Sequence, residues 1–112
     1  MHTKETIVID FDGTIVDHAF PYIGPAYPHA IAAIKELHEK YYIVISSCRN
    51  NPMIRHQGPI DTYQEMINWL DTNGVPYDRI DDGKSGKPIA LYYIDDRAIR
   101  FAKNWNRLRF TL

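Results

Sequence analysis

The chain has 112 residues, a single cysteine and a formal net charge of −1. This length predicts one domain spanning residues 1–112, and the near-neutral charge gives no reason to expect specific nucleic-acid binding or an anionic membrane as a partner. One cysteine excludes an internal disulfide. The apolar run near the N-terminus is too short for a signal peptide or a membrane span, so we expect a cytoplasmic protein.

The first half of the chain predicts a strand, a helix and a second strand. Thr6 to Phe11 is an apolar, β-prone stretch and predicts the first strand. Between Ala30 and Tyr41 the apolar residues recur at helical spacing. Tyr42 to Ser46 is a continuous, β-branched apolar run, which is typical of a buried strand.

The second half continues this alternation. Asp61, with Gln64 three residues later, resembles the capping box that opens a helix. Ala90 to Ile94 predicts a third central strand, Arg97 to Trp105 a short helix, and Arg107 to Thr111 a last edge strand. Strands that alternate with helices predict an α/β fold, a Rossmann-like three-layer sandwich with a mainly parallel central sheet.

Polar and acidic residues follow three of the predicted strands. The first strand ends in Asp10 and Asp12, the second runs into Ser46 to Asn50, and the third is followed by Asp95 and Asp96. In open α/β sheets, ligands bind beyond the carboxyl ends of the strands. These groups are therefore expected to meet at one edge of the sheet and to form an active site.

Carboxylates placed close together repel one another, and a divalent cation relieves that repulsion. Mg²⁺ prefers oxygen ligands in octahedral geometry and often binds one or two carboxylates together with a substrate phosphate. Asp10 and Asp95 are the natural direct ligands, and the backbone carbonyl of Asp12 is a candidate third. A magnesium site of this kind makes phosphoryl transfer the economical hypothesis.

The two acids at the end of the first strand suit a two-step phosphoryl transfer. One carboxylate attacks phosphorus and forms an aspartyl-phosphate, while a second protonates the leaving oxygen and then activates water. Asp10 and Asp12 can divide these roles. A lysine would neutralise the transferring phosphoryl group, and a small hydroxyl with backbone N–H groups would hold its oxygens.

Residues 10–14, DFDGT, resemble the first motif of the haloacid dehalogenase-like (HAD) phosphatases, whose pattern is Asp-x-Asp-Gly-Thr. The later motifs of that family are a Ser or Thr that ends an apolar strand, a Lys, and an acidic pair after another apolar strand. All of them follow in order, so the resemblance spans Ile7 to Asp96.

The resemblance implies a role for each acid. Asp10 would be the nucleophile and a metal ligand, and Asp12 the general acid/base and a ligand through its backbone. Asp95 would be a metal ligand, and Asp96 would act through water or by orienting the lysine. Because dehalogenases of this family lack the second acid, Asp12 favours a phosphatase.

Two motif residues stay open. The stretch IVISSCR resembles family strands that end apolar-apolar-Thr-x-Arg, which favours Ser47 over Ser46. The stretch GKPIALYYIDD resembles a Gly-Lys-Pro run that leads to the acidic pair, which favours Lys87 over Lys84. The residues expected to bind substrate are Thr14, Arg49 and Asn50.

The segments between the motifs, residues 15–28 and 49–61, are too short for the cap domain that most members of this family carry. We therefore expect an HAD-like core without a cap, an open site, and a phosphorylated sugar or a larger phosphorylated molecule as substrate. Self-association into a homo-oligomer is plausible for such an open site. The residues expected at its rim are His18, Tyr22, Arg49, Asn50, Arg55 and His56.

The leading hypothesis is a Mg²⁺-dependent phosphoric monoester hydrolase. Two alternatives use the same residues. A phosphotransferase would pass the phosphoryl group to an acceptor other than water, and a non-catalytic module would bind metal and a phosphorylated ligand without turnover.

Overall fold

The chain folds into strands that alternate with helices. The computed structural model describes residues 2–55 and 58–111. Its elements, in chain order, are strand β1 (Thr6–Asp10), helix α1 (Ala30–Lys40), strand β2 (Tyr42–Ser46), a 3-10 turn (Cys48–Asn50), helix α2 (Pro52–Arg55), helix α3 (Thr62–Thr72), strand β3 (Arg79–Ile80), strand β4 (Tyr92–Ile94) and helix α4 (Trp105–Thr111).

The four strands form one all-parallel sheet in the order β3-β2-β1-β4. Within the described residues the architecture is therefore α/β, as predicted, and it is consistent with a Rossmann-like fold. The strand register determines where the polar residues at the strand ends lie relative to one another. Asp10 is the Cα partner of Ser46, and Ile9 is the partner of Ile94.

The core lies around the two central strands, β1 and β2. Each of them buries its three middle residues, and because successive side chains of a strand point to opposite faces, both faces are shielded from solvent there. Phe11, directly after β1, is fully buried and contacts the ring of Trp69 on α3 at 5.6 Å between centroids. The core cluster consists of Ile7, Ile9, Phe11, Ile15, Val16, Ile34, Ile43, Ile45, Met66, Leu70 and Val75.

Helix α3 begins where the sequence predicts it. The Asp61 side chain caps the helix by accepting hydrogen bonds from the backbone N–H groups of Tyr63 and Gln64. The Gln64 side chain donates to Asn68. Gly74, just beyond the helix, has φ 68°, the left-handed conformation that ends a helix readily when the residue is glycine.

Strand β4 corrects the prediction of a third central strand. It is shorter than Ala90–Ile94, it lies at the edge of the sheet, and all three of its residues are exposed. Apolar composition predicts a strand but does not distinguish a central position from an edge. Strand β3, which occupies the other edge, is only two residues long and had no sequence signal of its own.

The two predictions beyond β4 are wrong. Arg97 to Trp105 is not a helix, and Arg107 to Thr111 belongs to helix α4 rather than to a strand. The backbone carbonyl of Asn104 accepts hydrogen bonds from the N–H groups of Arg107 and Leu108, and this starts the helix. Five alternating residues fit a strand pattern as well as they fit a helix of two turns, so periodicity did not decide between them.

None of the described helices has the length and apolar character that crossing a membrane requires.

Candidate active site

The parallel register brings three strand ends together at one edge of the sheet. Asp10 ends β1, and its neighbour across the sheet is Ser46 at the end of β2. On the other side of β1, Ile94 pairs with Ile9, so Asp95 follows β4 at the level of Asp10. The carboxylates that are 85 residues apart in sequence therefore meet because parallel strands end at the same edge.

Asp10, Asp95 and Asp96 form a cluster. Each offers a carboxylate oxygen, and these three atoms lie within 4.8 Å of one another. Burial of the Asp10 carboxyl, followed by repulsion from Asp95, raises its pKa from the ordinary 3.8 to about 6. Three oxygen donors with this mutual repulsion fit a hard divalent cation such as Mg²⁺. The Asp12 side chain does not belong to the cluster. As a metal ligand, Asp12 was expected to act through its backbone carbonyl.

Asp96 is also bound by His18. The His18 Nε2 atom lies 2.9 Å from Asp96 Oδ2, and this hydrogen bond lowers the pKa of the Asp96 carboxyl. Gly13 makes room for the contact, because a Cβ at that position would overlap both His18 Nε2 and Asp96 Oδ2. Gly13 also has φ 85°, which L side chains rarely adopt. The glycine of the DFDGT motif is thus required on two independent grounds.

Asp12 is held by the guanidinium of Arg49. Arg49 Nε donates to Asp12 Oδ2 at 2.7 Å, and Nη2 donates to Oδ1 at 2.8 Å. This is the bidentate geometry that makes Arg–carboxylate pairs directional as well as strong. The Asp12 side chain is 11% exposed and that of Arg49 is fully buried. The orientation of the Asp12 carboxyl is therefore fixed by Arg49.

Arg49, which the sequence predicted to bind substrate, has all its hydrogen-bond donors in use within the protein. Besides its two bonds to Asp12, it donates to the backbone carbonyls of Pro21, Tyr22 and Thr62, so all five of its N–H groups are used. Its guanidinium also lies 5.5 Å and 5.0 Å from the ring centroids of Phe11 and Phe20. In this arrangement the buried guanidinium holds Asp12 and has no donor left for another group.

A cavity of about 160 Å³ opens beside Asp10. Its lining includes Asp95, Lys87 and Ser46. The Lys87 ammonium lies 4.5 Å from the centroid of the Tyr93 ring. The structure thus brings Lys87, the favoured lysine, to the cavity of Asp10. A larger cavity of about 470 Å³, between the loop at Tyr22 and helix α3, is lined by none of these site residues.

The neighbouring surface holds the other two candidates. Ser47 and Lys84 line a separate cavity of about 330 Å³, together with Asn50 and Asp82. Ser47 Oγ accepts the backbone N–H of Arg49 and so caps the 3-10 turn. Of the two serines, it is therefore Ser46 that lies with Asp10, whereas the sequence favoured Ser47.

Thr14 and Asn50 differ in what they offer. Thr14 Oγ1 is buried and has no hydrogen-bond partner among the described residues, which is unusual for a buried hydroxyl. It is thus available to an oxygen atom that reaches this position. Asn50 uses its amide N–H to bind the backbone carbonyl of Asp81, which ties the end of β2 to the end of β3.

The residues expected at the rim of the site lie in different environments. His18 contacts Asp96, and the side chain of Tyr22 is exposed. Arg55 forms a bidentate ion pair with Asp61 at 2.9 Å and lies over the Tyr63 ring. His56 lies outside the described residues. Sequence spacing gave no signal for the His18–Asp96 contact, because 78 residues separate its partners.

Fold and site together define an α/β protein with an acidic, cation-compatible centre at the carboxyl edge of a parallel sheet. No protein-family model and no curated protein matches the chain. A solved structure of a conserved protein from Bacteroides thetaiotaomicron is similar, with 28% sequence identity and a TM-score of 0.67 over 95% of this chain and 87% of that chain. The likeness supports the fold over nearly the whole chain and carries no activity, substrate or cofactor to it.

Proposed function

We propose that this protein is a Mg²⁺-dependent phosphatase that hydrolyses a phosphate monoester through an aspartyl-phosphate on Asp10. The observation that carries the proposal is the cluster of Asp10, Asp95 and Asp96, whose oxygens lie within 4.8 Å of one another beside a cavity lined by Lys87. A group of carboxylates in which the pKa of Asp10 is raised, next to a lysine, suits a phosphate substrate and its counter-ion better than it suits a purely structural edge.

In the first step, an Asp10 carboxylate oxygen attacks phosphorus, and the bond from phosphorus to the leaving oxygen breaks. Asp12, oriented by Arg49, donates a proton to that oxygen. In the second step, water attacks the phosphorus of the aspartyl-phosphate, Asp12 takes its proton, and inorganic phosphate leaves as Asp10 is regenerated. Lys87 neutralises charge on the phosphoryl oxygens in both steps.

Asp10, Asp95 and Asp96 would hold the Mg²⁺, with the backbone carbonyl of Asp12 as a further ligand. When bound, the ion supplies charge neutralisation to the nucleophile and the phosphoryl group. A bound cation would offset the burial and the repulsion from Asp95 that raise the pKa of Asp10, and would so favour the ionised nucleophile.

The proposal includes a finer architecture, a three-layer HAD-like core without a cap domain. Asp95 and Asp96 are exposed, in keeping with a site that is open to solvent. An open site admits a phosphorylated sugar or a larger phosphorylated molecule, and a second copy of the chain can cover it in a homo-oligomer.

The test is phosphate release from an aryl phosphate with and without Mg²⁺. We expect turnover that needs Mg²⁺ and is lost in Asp10→Asn. Glu39→Gln, an isosteric change of an exposed acid on α1, is the matched control and keeps full activity. Undiminished turnover in Asp10→Asn would refute the mechanism.

The same assay separates the alternatives. Transfer to an added alcohol at the expense of free phosphate would identify a phosphotransferase. Metal-dependent binding of phosphorylated ligands without any release over a broad panel would identify a non-catalytic module. Ser46→Ala and Ser47→Ala, measured side by side, assign the phosphate-binding hydroxyl, and we expect the larger loss of kcat/KM for Ser46→Ala.

A further inference from the structure

The positive charge of the chain is concentrated at its C-terminal end. Residues 97–112 contain five Arg and Lys and no Asp or Glu; with −1 for the whole chain, the 96 residues before them carry −6. We call residues 97–110 the basic segment. Its cationic residues are Arg97, Arg100, Lys103, Arg107 and Arg109. The near-neutral net charge of the whole chain therefore says nothing about this surface.

Large aromatic side chains are exposed among these cations and directly after the last of them. Phe101, Trp105 and Phe110 are 52%, 71% and 78% exposed. The rings of Phe101 and Trp105 lie 5.2 Å apart between centroids and are tilted by 46°, so they form one aromatic surface. Contiguous exposed apolar surface commonly marks an interaction site.

The aromatic and cationic side chains are interleaved rather than sorted to opposite faces. On α4, Trp105 and Phe110 point about 140° apart, since each helical residue advances about 100°. Arg109 lies between them around the axis, and Leu108 is buried. A helix that lies on a membrane needs one apolar face and an opposite cationic face. Alternating rings and cations suit a ligand whose own apolar and anionic groups alternate.

Single-stranded nucleic acid has this character, because flat bases alternate with phosphates along the strand. Proteins bind it by stacking bases on aromatic rings while arginine and lysine neutralise the backbone. Cations spread over 13 residues also fit a row of phosphates better than a single phosphate group. We propose that the basic segment binds single-stranded nucleic acid.

The basic segment begins next to the candidate active site. The backbone N–H of Arg97 donates to Asp95 Oδ1 at 2.7 Å, so the first cation of the segment directly follows the acidic pair. A strand bound along the segment can therefore present a terminal phosphate to Asp10. Binding itself is independent of catalysis; delivery of a terminal phosphate rests on the proposed phosphatase function.

The binding test is fluorescence anisotropy with a labelled oligothymidine of about 12 nucleotides, using Asp10→Asn protein so that no turnover interferes. We expect log Kd to change with log salt concentration with a slope of about 3, since four to five phosphate contacts contribute about 0.7 each. Trp105→Ala should weaken binding roughly 5- to 150-fold, the loss of one stacked base.

A matched pair of double variants locates the site. Arg100→Gln with Lys103→Gln removes two charges from the basic segment and should reduce the salt slope by about 1.4. Lys35→Gln with Lys40→Gln removes two charges from exposed positions on α1 and should leave binding unchanged. Equal binding by both double variants overturns the proposal. So does binding to phosphatidylserine vesicles without any binding to the oligonucleotide.

Turnover separates the two proposals. If both proposals hold, the double variant Arg100→Gln with Lys103→Gln loses kcat/KM for a terminally phosphorylated oligonucleotide and keeps its activity on an aryl phosphate. Oligonucleotide binding without phosphatase activity on any substrate would refute the phosphatase and leave the binding site standing. Phosphatase activity without oligonucleotide binding would do the reverse.

Discussion

Asp10→Asn should stabilise the metal-free protein while it abolishes activity. The pKa of Asp10 is raised from 3.8 to about 6, chiefly by burial and then by repulsion from Asp95. Two units correspond to about 3 kcal/mol at 1.36 kcal/mol each, and solvent screening of this half-buried group reduces the expected gain to about 1–2 kcal/mol. The amide has nearly the same shape and carries no charge to repel.

The pH dependence has a definite sign. Because the folded protein holds the Asp10 proton more tightly than the unfolded chain does, ionisation of Asp10 destabilises the fold as pH rises from about 4 to 6. The gain in Asp10→Asn is therefore complete above pH 6 and vanishes below about pH 3.8. Mg²⁺ should stabilise the natural protein and stabilise the variant much less, since the ion offsets the same repulsion.

Urea unfolding at pH 7 and at low pH, each with and without Mg²⁺, measures these effects. In a thermal unfolding experiment, the same gain of 1–2 kcal/mol corresponds to a Tm increase of roughly 4–10 °C for a domain of this size. Asp82→Asn is the control of opposite sign, since backbone hydrogen bonds from Lys84 and Ser85 lower the pKa of Asp82 to about 2. A variant at Asp10 that is no more stable than the natural protein at pH 7 without Mg²⁺ would refute the reasoning.

Three further substitutions test the site and its supports. Gly13→Ala should cost about 1–2 kcal/mol from its left-handed backbone alone and lower Mg²⁺ affinity by displacing Asp96, as calorimetry can measure. Arg49→Met should cost about 3–5 kcal/mol in urea unfolding by leaving the Asp12 carboxylate without its partner; an equally stable variant would contradict the clamp. Asp61→Ala should cost about 1–2 kcal/mol through loss of the α3 cap and of the ion pair with Arg55, with activity unchanged in the phosphate-release assay.

The elements that the sequence predicts well are those decided by local chemistry. β1 and β2 are apolar β-branched runs, α1 has helical periodicity, and α3 has a capping aspartate at its start. The predictions for the C-terminal elements were wrong because those elements are not decided by local chemistry. Strand β4 lies at an edge and α4 has an alternating sequence, so their positions depend on neighbours that are distant along the chain.

The site divides in the same way. The convergence of Asp10 with Asp95 follows from the rule that parallel strands end at one edge, and sequence order was enough to predict it. The partner of Arg49 was not predictable, because Asp12 lies 37 residues away and the three carbonyls that complete the guanidinium come from two other segments. The prediction of substrate binding for Arg49 came from its position after β2 and from the resemblance of IVISSCR to family strands, neither of which indicates that the side chain is buried.

Arg49 also constrains how the loop ahead of α1 can evolve. One guanidinium holds the Asp12 carboxylate, the carbonyls of Pro21 and Tyr22, and the start of α3 at Thr62. Insertions or deletions between residues 18 and 22 would therefore shift Arg49 and, with it, the carboxyl group of Asp12. Surface loops normally tolerate such changes of length. An engineered loop that changes substrate specificity should therefore begin after Ile23, beyond the last carbonyl groups of this loop that Arg49 binds.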